Sequence, residues 1–402
     1  MTSGKSLGAQ FRWYFAAVGI SGVGDGLRVT ALPLLTVTLT SSPLAIAAVA
    51  AAQGLPWLLF SLPAGALVDR WDRRRVVVIV NSTRAGLATV LAVLTGLGEA
   101  SVPLLAAVAF GLTTGETFVD AATRAVLPAV VPTDRLESAN GRLFVAETGS
   151  VQLAGPPLGS ALFAVSRTVP FALDAASFAA GVLCFGRLRL PRPATRAPSS
   201  LRHEMAEGAR WLWTHRVLRT LAVPLLVMNL ASEAVFAVFV LFALRELHVG
   251  RSVYGLLFVA YAAGGLVGSA TAARLRNRIG DGPAIVGSVA LFGAPFLIMA
   301  GATDGYLAGG MMLLIGIGEG VWGVLTMSLR QAAIPDRLLG RVLNVFRLLG
   351  WGSLALGAVI GGVTAHAFGL RAPIYAAGVV ILLTAVVVAP VLTTSALRRA
   401  RD

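Results

Sequence analysis

Charged residues and cysteines are both scarce in this chain, and each shortage excludes a class of protein. Only 13% of the 402 residues are charged and 56% are hydrophobic, whereas a soluble protein carries about 25% charged residues. The single cysteine, Cys184, excludes an intrachain disulfide and argues against a metal cluster. The four histidines are scattered and no G-x-x-x-x-G-K-[ST] sequence occurs. We therefore predict no metal site, no cofactor, no direct use of ATP and no enzymatic activity.

Lysine is nearly absent as well, because 32 of the 33 basic residues are arginine. The formal net charge of +14 would favour a nucleic-acid-binding protein if the chain were soluble. Here the arginines lie between long apolar blocks, so we interpret the charge as a determinant of membrane topology. We expect the lipid bilayer, and no nucleic acid, as a partner.

The apolar blocks predict an all-α membrane protein with twelve transmembrane helices, since a span needs roughly 20 mostly apolar residues. The first block is too long for a cleavable signal sequence and continues into the array. The predicted spans are 13–37, 43–68, 75–96, 102–123, 142–165, 169–186, 219–244, 252–273, 283–302, 306–328, 342–366 and 372–394.

The arginines predict the orientation of these spans. The loops after the odd-numbered spans hold only Arg167, Arg245, Arg251 and Arg371, and three more basic residues lie within spans. The other 26 lie in or beside the termini and the loops after the even-numbered spans. Because basic loops stay on the cytoplasmic side, we predict that both termini are cytoplasmic.

A hydrophilic segment divides the spans six and six. Its first part is rich in proline and serine, and residues 201–213 can form an amphipathic helix. Leu201, Met205 and Leu212, with the two tryptophans, would lie on the membrane surface. We predict an N-terminal bundle over 1–186, a cytoplasmic linker over 187–218 and a C-terminal bundle over 219–402. A short repeat supports two related halves: Gly115-Glu116 precedes Pro132, and Gly318-Glu319 precedes Pro335, by the same distances.

The loop between spans two and three carries the most specific motif. Residues 65–74 read Gly-Ala-Leu-Val-Asp-Arg-Trp-Asp-Arg-Arg, which resembles the G-x-L-x-D-R-x-x-R-R signature of the major facilitator superfamily of secondary transporters. This chain has Asp72 where family members often have glycine. The resemblance implies two six-helix bundles and a cytoplasmic gate in which Asp69 meets the start of helix eleven near Arg341. The residues assigned to this gate are Gly65, Asp69, Arg70, Arg73, Arg74 and Arg341.

Two further segments narrow the resemblance. Span five contains Gly155, Pro156 and Gly159, which resemble the helix-five motif of exporters in the family, although ordinary tight helix packing explains them equally well. The linker and residues 174–178 resemble the branch of macrolide and enterobactin-type siderophore exporters. This branch implies a drug:proton antiporter in a bacterial inner membrane, and a monomer suffices for the fold.

Charged residues inside spans each need an explanation, because such a residue costs at least about 2.5 kcal/mol in hydrocarbon. Asp25 and Arg28 share a face of span one, either as a neutralising ion pair or as a proton site that Arg28 adjusts. Glu116 is the second proton-coupling candidate. The candidates for lining the substrate cavity are Arg28, Glu233, Glu319 and Arg347, and the alternative for the glutamates is a hydrogen bond to a neighbouring helix.

Together these features predict proton-coupled efflux of a small amphiphilic molecule, such as a drug, an antibiotic or a siderophore-like metabolite, by alternating access. An importer or facilitator of a small nutrient, on the same fold, is one alternative. A non-transporting membrane protein, such as a lipid scramblase or a sensor, is the other. Several carboxylates within spans argue against the latter, because they would be a cost without a use.

Overall fold

The computed structural model describes residues 8–68, 70–124, 126–190 and 201–394, and all regular structure in these ranges is helical. The α-helices are α1 Gly8–Leu39, α2 Pro43–Val68, α3 Arg73–Gly96, α4 Val102–Arg124, α5 Leu127–Val130, α6 Leu136–Glu147, α7 Gly155–Val165, α8 Val169–Gly186, α9 Leu201–Thr214, α10 Arg216–Arg245, α11 Tyr254–Ile279, α12 Asp281–Ala300, α13 Gly305–Ala333, α14 Asp336–Trp351, α15 Leu354–Phe368 and α16 Ala372–Val388. A 3₁₀ turn, Thr133–Arg135, precedes α6, and a π-helical segment, Thr148–Ala154, joins α6 to α7.

Within the described ranges, ten helical segments are long and apolar enough to cross a membrane, with α14 and α15 acting as one. The other two predicted spans correspond to the interrupted α6–α7 segment and to α16, which has 17 residues. The prediction of an all-α, multi-pass membrane protein is therefore confirmed.

The fifth predicted span differs from a continuous helix because of two adjacent prolines. Proline has no amide hydrogen, and its ring collides with the carbonyl group four residues earlier. Pro156 and Pro157 begin α7, so they cannot donate to the carbonyls of Gln152 and Leu153. The preceding turns widen into the π-helical segment, a geometry that often marks functional positions.

Side chains at three helix starts satisfy backbone amides that the first turn leaves unpaired. Asp72 accepts a hydrogen bond from the Arg75 amide at the start of α3, at 3.1 Å. Asp304 accepts from the amides of Tyr306 and Leu307 at the start of α13, both at 2.9 Å. His215 accepts through Nδ1 from the Leu218 amide and begins α10.

The chain divides into two compact units. Unit 1 consists of the described residues of Met1–Leu39, Leu59–Pro198 and Arg251–Gly255, and unit 2 consists of those of Thr40–Leu58, Ser199–Gly250 and Leu256–Asp402. In unit 1, α1 packs along α7 and α8, and α3 packs against α4 and α8. In unit 2, α10 packs against α15 and α16, and α12 packs against α13 and α16. The predicted bundle and linker boundaries at 1–186, 187–218 and 219–402 stay a prediction.

The two prolines of the sequence repeat have nearly the same backbone conformation. Pro132 has φ −57° and ψ 147° ahead of the 3₁₀ turn that leads into α6. Pro335 has φ −57° and ψ 140° and begins α14. Each proline therefore starts the helix that follows a glutamate-bearing span, as two related halves require.

The amphipathic segment forms α9, which packs across α14 and contacts α10. Leu212 is 4% exposed and lies inside unit 2, so the interpretation that it rests on the membrane surface is wrong. Trp213 is 70% exposed. Gly208 allows the close approach of α9 and α14, because a Cβ atom there would lie 2.8 Å from the carbonyl oxygen of Arg341.

Candidate functional site

Asp25 is at the centre of a cluster of five charged side chains in unit 1. Its Oδ1 accepts hydrogen bonds from Nη2 of Arg28, at 2.8 Å, and from Nη2 of Arg84, at 2.6 Å. The Arg28 guanidinium also donates to Glu116 at 3.3 Å, and Arg84 lies 3.9 Å from the same carboxylate. We name these residues, together with Asp174, the ion cluster. The structure thus joins Asp25, Arg28 and Glu116, three of the residues that the sequence singles out.

Asp174 is the most deeply buried acid of the ion cluster, with 1% of its side chain exposed. Its nearest cation is Nε of Arg28, at 3.7 Å, and neither of its carboxylate oxygens has a hydrogen-bond partner. Asp174 is thus shielded from water, although its position near the start of predicted span six would favour hydration. A buried polar atom without a hydrogen-bond partner is costly for the fold, so Asp174 needs an explanation beyond packing.

The ion cluster exists because small residues make room for it. A Cβ atom on Gly24 would lie 2.6 Å from Oδ1 of Asp174, and one on Gly115 would lie 2.8 Å from Cδ of Arg84. The Arg84 guanidinium also rests 4.0 Å from the ring centroid of Phe178, where the aromatic face stabilises a cation. Both arginines are buried, while 20% of the Asp25 side chain and 37% of the Glu116 side chain are exposed.

The predicted helix-five motif lies directly beside the ion cluster. A Cβ atom on Gly26 would lie 2.8 Å from the Cα atom of Gly155, so α1 and α7 touch through their backbones. The Thr30 hydroxyl donates to the Pro156 carbonyl at 2.9 Å, and a Cβ atom on Gly159 would lie 2.6 Å from that hydroxyl oxygen. These residues pack α7 against the helix that carries Asp25 and Arg28.

Unit 2 holds a second acidic site on α10 and α13. Tyr261 of α11 interacts with both Glu233 and Glu319, and its hydroxyl faces the Glu319 carboxylate. Among the residues that the structure describes, no arginine or histidine lies within 4.0 Å of either carboxylate. The two glutamates are thus close to one tyrosine and to no described cation.

Glycines bring Tyr261 to Glu319. Gly264 and Gly268 of α11 face backbone atoms of α13 at distances that leave no space for a Cβ atom, and Gly316 of α13 faces the Tyr261 carbonyl in the same way. The ring of Phe236 lies 5.8 Å from the Tyr261 ring, edge to face. This site therefore combines carboxylates with aromatic surface.

Arg347, on α14 of unit 2, lies beside a tryptophan. Its guanidinium is 5.7 Å from the ring centroid of Trp57, and the Trp57 and Trp351 rings are 4.7 Å apart. The structure therefore places Arg347 with tryptophans, and Glu233 and Glu319 with tyrosine and phenylalanine.

The predicted cytoplasmic gate is described only in part, since Asp69 lies outside the described residues. The Arg74 guanidinium donates to the Gly186 carbonyl at the end of α8. Arg341 forms an ion pair with Glu207 of α9. Arg70 is exposed, and a Cβ atom on Gly65 would meet nothing within 4 Å. Arg73, at the start of α3, also makes an electrostatic or hydrogen-bond contact.

Sequence reasoning misses three residues of these sites: Arg84, Asp174 and Tyr261. Arg84 carries a charge inside a predicted span, so the rule that selects Arg28 would also have selected it. Asp174 lies near the beginning of predicted span six, close to a loop, where an acid is not unusual. Its burial becomes visible only when α8 packs against α1. Nothing in the local sequence distinguishes Tyr261 from an ordinary aromatic residue of a span.

The comparisons with known proteins match this arrangement of helices. Residues 7–398 match the family model described as "Transmembrane secretion effector", MFS_3. The chain belongs to the major facilitator superfamily. It is 27% identical over 393 residues to the multidrug efflux pump Tap of Mycolicibacterium fortuitum, which covers 93% of each chain. It is 28% identical over 400 residues to Tap of Mycobacterium tuberculosis strain H37Rv, which covers 94% of this chain and 92% of that one.

A solved structure of a bacterial homologue of the iron transporter ferroportin, in an inward-facing state, has the same fold. Its TM-score is 0.76 at 18% sequence identity, with 95% of this chain and 98% of that one covered. As a major facilitator transporter, the chain has a small-molecule substrate and a membrane setting. Family membership also confirms the prediction that it is not an enzyme.

Proposed function

We propose that this major facilitator protein exports a small amphiphilic molecule, most favourably a cationic one, in exchange for protons. Its relatives over nearly the whole chain are named multidrug efflux pumps. We further propose that it works as a monomer in a bacterial inner membrane, with both termini in the cytoplasm, as the distribution of arginines supports.

The charge balance of the ion cluster carries the proton-coupling proposal. Three carboxyl groups, those of Asp25, Glu116 and Asp174, face two guanidinium groups. With every group ionised, the cluster would hold one uncompensated negative charge in a buried site, which is costly in a low-dielectric surrounding. One bound proton removes that charge, and its release restores it.

The two proton-coupling candidates have different positions in this exchange. Asp25 makes the two shortest ion pairs, with Arg28 at 2.8 Å and with Arg84 at 2.6 Å. Glu116 is more exposed and makes longer contacts with the same arginines, at 3.3 and 3.9 Å. We infer that Glu116 exchanges the proton with solvent and that Asp25 holds the two arginines in place for it.

The acidic site of unit 2 favours a cationic substrate. Glu233 and Glu319 offer two carboxyl groups without a described cationic partner, and a bound cation would stabilise their ionised forms. Phe236 and Tyr261 offer flat aromatic surface beside them. Carboxylates and aromatic faces together attract an organic cation. Arg347 and Trp57 would contact a different part of the molecule.

Proton release on substrate addition tests the proposal. The purified protein is reconstituted in vesicles with an acidic lumen that contain a pH-sensitive dye, and ethidium is added as the cationic probe. The intact chain should move protons in exchange for ethidium, whereas Glu116→Gln and Asp25→Asn should lose this exchange at equal protein levels. Glu99→Gln, an exposed site outside the cluster, is the matched control and should behave like the intact chain. Proton-coupled ethidium movement in Glu116→Gln would exclude Glu116 as the exchanging group.

A further inference from the structure

A groove of about 630 Å³ runs between α3 and α4 on unit 1. One end is formed by the segment from Arg70 to Asp72 and by Arg75, and the other end reaches Gly111 and Arg84. Between these ends the walls are almost entirely apolar. They are Val76, Ile79, Val80, Thr83, Thr114, Gly115 and Phe118.

The length of the groove matches one leaflet of a bilayer. Twelve residues separate Asp72 from Arg84, and a rise of 1.5 Å per residue makes this stretch about 18 Å long. Half of a hydrocarbon core of about 30 Å is roughly 15 Å. An acyl chain that begins at the loop end would therefore lie along the groove without crossing into the other leaflet.

The two ends of the groove differ in available charge. Arg84 is engaged by Asp25 in the ion cluster and is buried. At the loop end, Arg70 is exposed and the Arg75 side chain is 84% exposed. Asp72 uses Oδ1 to accept from the Arg75 amide, and its contact with the Arg75 guanidinium, at 3.9 Å, is long and solvated. The arginine side chains at this end remain available to an anion.

Exposed apolar residues beside the groove indicate that this face meets lipid. Ile79 is 65% exposed and Trp71 is 48% exposed. Tryptophan is enriched where a membrane protein crosses from hydrocarbon to the headgroup region. Trp71 thus places the loop end of the groove at the depth of the lipid headgroups. Ile79 places the wall of the groove at the depth of the acyl chains.

We propose that this groove binds an anionic phospholipid of the leaflet that the α2–α3 loop faces. The phosphate group is held by Arg70 and Arg75, and one acyl chain lies between α3 and α4. Guanidinium groups suit this role because they match phosphate geometry and form charge-assisted hydrogen bonds. The site does not depend on the direction of transport or on proton coupling.

Lipid retention by the purified full-length protein tests this site. Phosphatidylglycerol or phosphatidylcholine is titrated into the detergent-solubilised protein, and bound lipid is counted by mass spectrometry of the intact complex. Phosphatidylglycerol should be retained preferentially. The double variant Arg70→Gln/Arg75→Gln should weaken its retention by at least about tenfold, since each arginine near an anionic surface contributes roughly 1 kcal/mol.

Two further variants keep the result interpretable. Arg274→Gln/Arg278→Gln removes the same charge from the exposed end of α11 and should retain phosphatidylglycerol like the intact chain. Thr83→Phe fills the groove without changing charge and should also weaken retention. Equal loss in the α11 variant, or equal retention of the two lipids, would overturn the proposal. It would also be overturned if Thr83→Phe reduced ethidium transport while lipid retention was unchanged, because the groove would then be a substrate path.

Discussion

At the scale of single residues, the three acids of the ion cluster differ in their contacts and in their exposure. Asp25 accepts from two guanidinium groups, Glu116 makes longer contacts at a more exposed position, and Asp174 is buried without a hydrogen bond. Asp25 and Glu116 contact both arginines, whereas Asp174 pairs with Arg28. These differences support the separate functions that we propose for Asp25 and Glu116.

We expect Asp25→Asn to destabilise the protein much more than Asp174→Asn. Asparagine has nearly the shape of a protonated aspartic acid, so Asp174→Asn should change the free energy of unfolding by less than about 1 kcal/mol if Asp174 holds the bound proton. Asp25→Asn removes the anion that Arg28 and Arg84 share and should cost about 3 kcal/mol, as breaking a buried ion pair does.

The measurement is thermal unfolding of the two variants and the intact protein in the same detergent. Glu99→Gln, which changes an exposed acid outside the cluster, gives the effect of removing a charge alone. An equal loss of stability in Asp174→Asn and Asp25→Asn would mean that Asp174 is ionised in the folded protein. The proton would then have to reside on Glu116.

At the scale of helices, the contact between α1 and α7 links the exporter-like motif to the ion cluster. Gly26 and Gly155 allow the two backbones to touch one residue away from Asp25, and Thr30 ties α1 to the Pro156 carbonyl. The π-helical segment lies immediately before this contact. A change in the π-helical turns would therefore move the backbone against which Asp25 and Arg28 are packed.

We expect Gly26→Ala to be destabilising and Gly19→Ala, on the same helix, to be harmless. A methyl group at Gly26 would lie 2.8 Å from backbone atoms of Gly155 and Ser150, which cannot move aside as a flexible side chain can. Overpacking of this kind costs about 1–3 kcal/mol. At Gly19 nothing lies within 4 Å, and alanine favours the helix.

Thermal unfolding and ethidium transport of the two alanine variants check this prediction. Gly26→Ala should lower both stability and transport rate, because separation of α1 from α7 also displaces Asp25. Wild-type stability in Gly26→Ala would show that the two helices separate easily and that the close contact is not a structural requirement. The helix-five glycines would then be ordinary small residues.

At the scale of the whole molecule, composition was sufficient to predict an all-α membrane fold, because long apolar runs with few charges have no other stable arrangement in a bilayer. The motif at 65–74 added the superfamily. The interruption of span five was not predicted from the sequence, although the sequence contains Pro156 and Pro157. The span was identified by its apolar content, which takes no account of the backbone amide hydrogens that prolines lack. The sites were predicted less completely, since Asp174 and Tyr261 acquire their surroundings only when distant helices pack.

The membrane orientation is a property of the whole chain, and two matched arginines on opposite sides can test it. Arg167, between α7 and α8, should be extracellular, and Arg337, at the start of α14, should be cytoplasmic; both are exposed. In a Cys184→Ser background, which removes the single native thiol, Arg167→Cys should react with a membrane-impermeant maleimide in intact cells. Arg337→Cys should react only after the cells are permeabilised. The reverse pattern would place both termini outside and would contradict the rule that arginine-rich loops remain cytoplasmic. Because Arg337 and Arg341 both lie in α14, that pattern would also move the proposed gate to the other face of the membrane.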